Sequence, residues 1–160
     1  MAKILPIVKH PNAVLRRKAK AVHLKLLANP AIQTLIDDMA ATMWEADGVG
    51  IAAPQIGESV RIVIITSGRE AVPLINPRIL YRSLRRETLE EGCLSVPGFY
   101  GSVKRAWSIH VTAYTRAGKK IKFKAEGLPA RIVQHEIDHI NGILYIDRAD
   151  TVIPLELAAA

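Results

Sequence analysis

The stretch Gln134-His135-Glu136-Ile137-Asp138-His139 governs how the rest of this chain is read. Histidines at i and i+4 of a helix stack on one face, so both imidazoles reach a single metal ion. Glu136 follows the first histidine by one residue, about 100° around the helix. That places its carboxyl beside the ion, where it can exchange a proton with water. The spacing predicts a helix over Leu128 to Asn141, with Pro129 in the first turn and Gly142 just past the end. Val133, Ile137 and Ile140 make one apolar stripe on it. Leu128, Ile132, His135 and His139 make a second, and two histidines in such a stripe require partners.

Two imidazoles leave a catalytic metal one protein ligand short. Some zinc hydrolases take a third histidine six residues after the second, but here that position is Tyr145. Others take a glutamate from a following helix. Past Asp150 only Glu156 remains, in a tail too short for one. Upstream, Cys93 stands in Glu91-Gly92-Cys93-Leu94-Ser95. Alone, a single cysteine reads as a small buried hydrophobe. Beside an unfinished histidine pair it reads as the third ligand, since a thiolate and two imidazoles make a sound site for a divalent metal.

Working outward, Asn29-Pro30 is a helix start, an N-cap followed by proline at the first helical position. Ile32, Leu35, Ile36, Met39 and Met43 continue at helical spacing, and Gly48 ends the run. Asn12 caps a short helix through Ala19. Val60 to Thr66 reads as a buried strand, and Pro73 and Pro77 punctuate the next segment. Ser108 to Thr115 and Lys119 to Lys124 alternate around the Ala117-Gly118 turn. They predict a hairpin with Ile121 and Phe123 on one face and Lys120, Lys122 and Lys124 on the other. The expectation is an α+β fold: short, mostly antiparallel strands and hairpins around a C-terminal metal-binding helix, with an N-terminal helix outside. One domain is expected over residues 1–160.

The 160 residues are 49% hydrophobic, and no window approaches the roughly 20 apolar residues that span a bilayer. Met1 to Pro6 lacks the apolar run of a secretory signal. A lone cysteine makes no internal disulfide and suits a reducing compartment. With 22 basic and 15 acidic residues the net charge is +7, which favours an acidic partner such as the ribosome or other RNA. Only 5% of residues are aromatic, and no aromatic-basic stripe of the RNA-reading type is present.

Three blocks together resemble the peptide deformylases: Gly48-Val-Gly-Ile-Ala-Ala-Pro-Gln55, Glu91-Gly-Cys-Leu-Ser95 and Gln134-His-Glu-Ile-Asp-His139. Their order and spacing match, and the similarity runs from near the N-terminus to about Asp150. The resemblance implies an enzyme that removes the formyl group from N-terminal formylmethionine and releases formate. Cys93, His135 and His139 would bind one divalent metal, Fe2+ in the cell, with Zn2+ or Ni2+ accepted in purified protein. Glu136 would act as base and then acid. Gln55 and the backbone N–H of Leu94 would stabilise the oxyanion. Val49, Gly50, Glu91, Gly92, Leu128 and Ile132 would contact substrate, the peptide pairing along Gly50 as an added strand and its methionine entering a pocket walled by Val49, Leu128 and Ile132.

The implied partners are N-formylmethionyl peptides and nascent chains, with neither DNA nor membrane. The implied location is the bacterial cytoplasm or an organelle matrix. Many bacterial relatives carry an arginine seven residues after the metal cysteine; here it is Tyr100, and Arg105 is the nearby substitute. The Val152–Ala160 tail carries no basic residue, so ribosome contact falls to the Lys119–Lys124 strand or to Arg82, Arg85 and Arg86. Two other classes compete, a metallopeptidase cutting internal bonds and a non-enzymatic ribosome- or RNA-associated module. Release of formate separates both from the deformylase reading.

Overall fold

The computed structural model describes residues 1–158; Ala159 and Ala160, the end of the tail, lie outside the described residues. The first long helix, α1 (Pro30–Glu45), starts as its sequence requires, with the Asn29 side chain accepting the N–H of Ala31 at 2.9 Å. Its stop differs from expectation. Asp47 takes the left-handed conformation (φ 52°), and the Gly48 N–H returns to the Met43 carbonyl at 2.9 Å. The Asn12-capped helix is a single 3-10 turn, Ala13–Arg16. The chain is extended at Arg17, because beyond it Ala19 donates to the Ile140 carbonyl and Lys20 bridges to Val60.

Five antiparallel strands form one sheet in the order β1 (Gly50–Ala52), β2 (Ile62–Ser67), β3 (Glu70–Arg82), β6 (Ser108–Tyr114) and β7 (Lys120–Glu126). The second sheet orders β4 (Arg86–Cys93), β5 (Val96–Ala106) and β8 (Val152–Pro154). Pro73 and Pro77 do not break β3. Pro73 pairs only with β2, because pairing to β6 begins at Ile75, and Pro77 falls in the register shift between Ile75 and Arg78. Both sit where no ladder hydrogen bond is demanded of them. The expected β6–β7 hairpin forms, with Lys120, Lys122 and Lys124 exposed.

Strand β2 explains why the two helices lie on opposite faces of the larger sheet. Its side chains alternate. Ile62 and Ile64 pack with Ile36, Met39 and Met43 of α1, whereas Val63 packs with Leu74, Ala113 and Ile140, the last from α2 (Leu128–Ile140). Helix α2 also meets β5, so it lies between the sheets, and nine of its 13 residues are buried. Each fully buried Ile or Met contributes about 1.5–3 kcal/mol by leaving water. The apolar stripe Val133, Ile137, Ile140 is core. Of the other stripe, Leu128, Ile132 and His135 line a cavity between β1, β4, β5 and α2, and His139 lies buried behind them.

Candidate active site

Three donors converge from two elements. Cys93 ends β4 beyond a register shift after Glu91, and α2 supplies His135 and His139. One ligating atom from each lies within 4.8 Å of the others, and Cys93 Sγ is 3.2 Å from His139 Nε2. The His135 Nδ1 lies 2.9 Å from Glu91 Oε2. That contact leaves Nε2 for a metal, the arrangement by which an outer carboxylate fixes a ligand's tautomer and ring orientation.

Glu91 is itself held. Arg105 grips both its oxygens, and Arg131 Nη1 donates to Oε1 at 2.8 Å. Burial would raise its pKa, but Arg105 and His135 outweigh burial and hold the carboxyl well below the usual range. Arg105 also reaches Asp138 at 2.8 Å, and Asp138 takes two bonds from Arg148. This network bears on two expectations. The Glu91 side chain is committed to His135 and two arginines, although the residue still lines the cavity, so any contact with substrate would come beside that network. Arg105 is 4% exposed inside the same network and cannot stand in for a peptide-holding arginine at Tyr100.

Glu136 lies against β1. A Cβ on Gly50 would come within 2.5 Å of its Oε1, while its Oε2 is buried without a hydrogen-bond partner. Burial lifts its pKa to about 7, with the charge of His135 opposing. A carboxyl poised there both takes and returns a proton near neutral pH. Gln55 is 2% exposed. Its Oε1 accepts the Ala52 N–H at 2.9 Å, which turns Nε2 toward Ser95 Oγ (3.2 Å) and Cys93 Sγ (3.6 Å). Leu94 sits in the turn between β4 and β5, and its N–H finds no acceptor among the described residues.

These groups open onto a cavity of about 590 Å³ lined in part by Val49, Gly50, Gly92, Leu128 and Ile132. All five of these expected substrate contacts are therefore on its wall. Tyr100 lines it too, as do Phe99 and Leu155 at the far end, where β8 pairs with β5. The sequence reading missed Leu155, which no motif marks, and the buried arginines. Arg131 left a signal, since it stands four residues before His135 on the same helical face.

The donor set suits a divalent metal. His139 is pushed well below the usual imidazole range by burial and by the charge of His135, which favours the neutral ring that ligates. Burial alone would lower His135, but Cys93 and Glu91 outweigh it and raise its pKa to about 10.

Residues 4–153 match the family model described as polypeptide deformylase. The chain is 42% identical over 150 residues to a peptide deformylase of Desulforudis audaxviator, covering 93% of this chain and 96% of that one. It is 46% identical over 147 residues to that of Halothermothrix orenii, covering 91% and 93%. A solved structure of the class I type b peptide deformylase of Acinetobacter baumannii bound to Met-Ala-Ser has a TM-score of 0.88 at 41% identity. It covers 92% of this chain and 99% of that chain. The Thermotoga maritima peptide deformylase gives 0.87 at 38% identity, covering 92% and 99%. Fold, sequence and site agree: the chain belongs to the polypeptide deformylase family, metal-dependent hydrolases that remove the N-formyl group from newly made polypeptides.

Proposed function

We propose that the chain carries out this deformylation on N-terminal formylmethionine, releasing formate, with Cys93, His135 and His139 holding one divalent cation and Glu136 moving the proton. The observation that carries the reading is a Cys/His/His donor triad within 4.8 Å, with a buried glutamate beside it whose Oε2 has no hydrogen-bond partner. A cation bound there supplies Lewis acidity, polarising a carbonyl oxygen and making water a stronger nucleophile near neutral pH. Glu136 takes the proton of the attacking water and delivers it to the departing amine nitrogen. Gln55 Nε2–H and the Leu94 N–H are the donors for the oxyanion, each worth about 3–4 kcal/mol. Glu91 is a positioning residue that keeps His135 in its ligating tautomer.

The substrate backbone adds to the sheet at β1, which pairs only with β2 among the described residues, with Gly92 across the cleft. Val49, Leu128 and Ile132 receive the methionine side chain. Formyl bears hydrogen where larger acyl groups bear carbon, so a tight site admits it and excludes acetyl. The Acinetobacter baumannii neighbour is bound to Met-Ala-Ser, and a peptide that begins with methionine supports a methionine-first substrate here. Thiolate and imidazole accept Fe2+, Zn2+ and Ni2+, and we assign Fe2+ in the cell. No described helix is long and apolar enough to cross a membrane. We assign the chain to the bacterial cytoplasm, meeting ribosomes through the exposed lysines of β7. Replacing Lys120, Lys122 and Lys124 by glutamate should abolish co-sedimentation with ribosomes.

The central test is formate release from formyl-Met-Ala-Ser with metal analysis of the same samples. Cys93→Ala should lose stoichiometric metal together with activity. Glu136→Ala should keep the metal and lose on the order of 10²-fold or more in rate. A metal-free wild type with full activity overturns the assignment. A Glu136→Ala protein without metal would make Glu136 a ligand.

A further inference from the structure

The two oxyanion donors come from segments far apart in sequence, and neither is held by a long helix. Gln55 sits in a 3-10 turn after β1, and Leu94 in the turn joining β4 to β5. One short extended piece of the N-terminal chain touches both. The Val8 N–H donates to the Gln55 carbonyl at 2.7 Å, the His10 N–H to the Ser95 carbonyl at 2.8 Å, and between them Lys9 Nζ donates to the Leu94 carbonyl at 2.7 Å. Lys9 is exposed, yet it lies on the wall of the active-site cavity.

We propose that Val8–His10 is a bracket that sets the spacing between the Gln55 amide and the Leu94 N–H, and that Lys9 is its positioning residue. This rests on the deformylase reading of the site. An oxyanion donor must lie about 2.7–3.1 Å from where the charge develops, so a small displacement weakens it. The Leu94 N–H and carbonyl belong to adjoining peptide planes that meet at its Cα. Cys93 is tied to β4 on one side, and the Lys9 bond fixes the carbonyl on the other. The direction of the N–H is set by both. Val8 and His10 use backbone groups that any residue supplies. Lys9 alone uses a side chain, so the bracket is sequence-specific at this position.

The test is steady-state deformylation of formyl-Met-Ala-Ser by Lys9→Met and Lys9→Arg, with Lys18→Met, exposed and away from the cavity, as the control. Metal content and thermal midpoint are measured on each protein. Lys9→Met should keep its metal and its midpoint and show KM within about twofold of wild type. Its kcat should fall about tenfold, less than outright removal of a donor. Lys9→Arg, which can still reach the carbonyl, should recover most of the loss, and Lys18→Met should match wild type. Unchanged kcat in Lys9→Met with an active wild type overturns the bracket alone. So does a rise in KM at constant kcat, which would make Lys9 a substrate contact. So does metal loss that accounts for the lost activity. A wild type that releases no formate overturns the deformylase reading, and the bracket with it.

Discussion

The two walls of the site are built by opposite means. The metal wall takes two of its three donors from α2, a buried helix, and Cys93 from the end of β4, and its ligand His135 is steadied by a charged network running from Arg131 through Glu91 and Arg105 to Asp138 and Arg148. The oxyanion wall stands on two turns, uses one backbone and one amide donor, and is tied by single hydrogen bonds from the N-terminal chain. Ligand geometry tolerates little rotation, so its wall is over-determined. The oxyanion wall must accept a substrate strand at its edge, and lighter ties leave that edge open. Damage to the metal wall should therefore show in stability and metal content, and damage to the oxyanion wall chiefly in turnover.

The largest effect is expected at Glu91. Glu91→Gln leaves the buried Arg131 guanidinium without its anion and Arg105 with Asp138 alone, at 6% and 4% exposure. Breaking a buried ionic cluster in this way costs about 3–5 kcal/mol. Loss of the His135 orienting contact should weaken metal binding by about 10–100-fold. Urea unfolding and metal competition measure the two. A variant that keeps both stability and metal would show that the network is not what steadies this wall.

The difference between the walls also tracks what the sequence discloses. His135, Glu136 and His139 are legible because their relation is local, set by the pitch of one helix. Asn29-Pro30 announces α1 for the same reason. Cys93 is a ligand candidate only because the helix is one donor short; no spacing rule links it to His135. The network is illegible, since Glu91 to Arg105, Arg131 and His135 spans separations of 14 to 44 residues. Arg105 looked available for substrate because its partners could not be seen. The prolines of β3 read as breaks because strand pairing, which decides whether a missing N–H matters, is also non-local. Gln55 joins a local and a non-local relation: its oxygen accepts the Ala52 N–H of its own turn, while its nitrogen faces Cys93 and Ser95, about 40 residues away, where the proposed donor role would be exercised.

That double role makes Gln55 the next test. Gln55→Leu removes the donor and leaves the buried Ala52 N–H without its acceptor. Turnover should fall about 10²-fold, and stability should fall by about 1–3 kcal/mol. Gln55→Glu keeps an acceptor for Ala52 and should separate the two, retaining most of the stability while losing the turnover. Loss of stability in Gln55→Leu with kcat intact would reduce Gln55 to a turn residue and leave Leu94 as the sole oxyanion donor of this wall.

The smallest change is placed where the two walls touch. Gly50 is on β1, the edge strand of the oxyanion wall, and a Cβ there would stand 2.5 Å from Oε1 and 2.8 Å from Cγ of Glu136 on the metal wall. Such a contact is too close to persist, so in Gly50→Ala either the strand or the carboxylate moves. Glu136 is the softer of the two, because its side chain rotates and β1 is pinned to β2 through Gly50↔Ile65. The metal donors are not displaced, so Gly50→Ala should bind metal as wild type does. Its kcat should fall about tenfold, since a proton shuttle out of reach contributes less than its full effect. The double variant Gly50→Ala/Glu136→Ala decides whether the loss runs through Glu136. If it does, the two effects are not additive, and the double variant is no slower than Glu136→Ala alone. Full additivity would mean that the methyl group obstructs the substrate strand, and the contact between the walls would then be steric crowding with no part in holding the base.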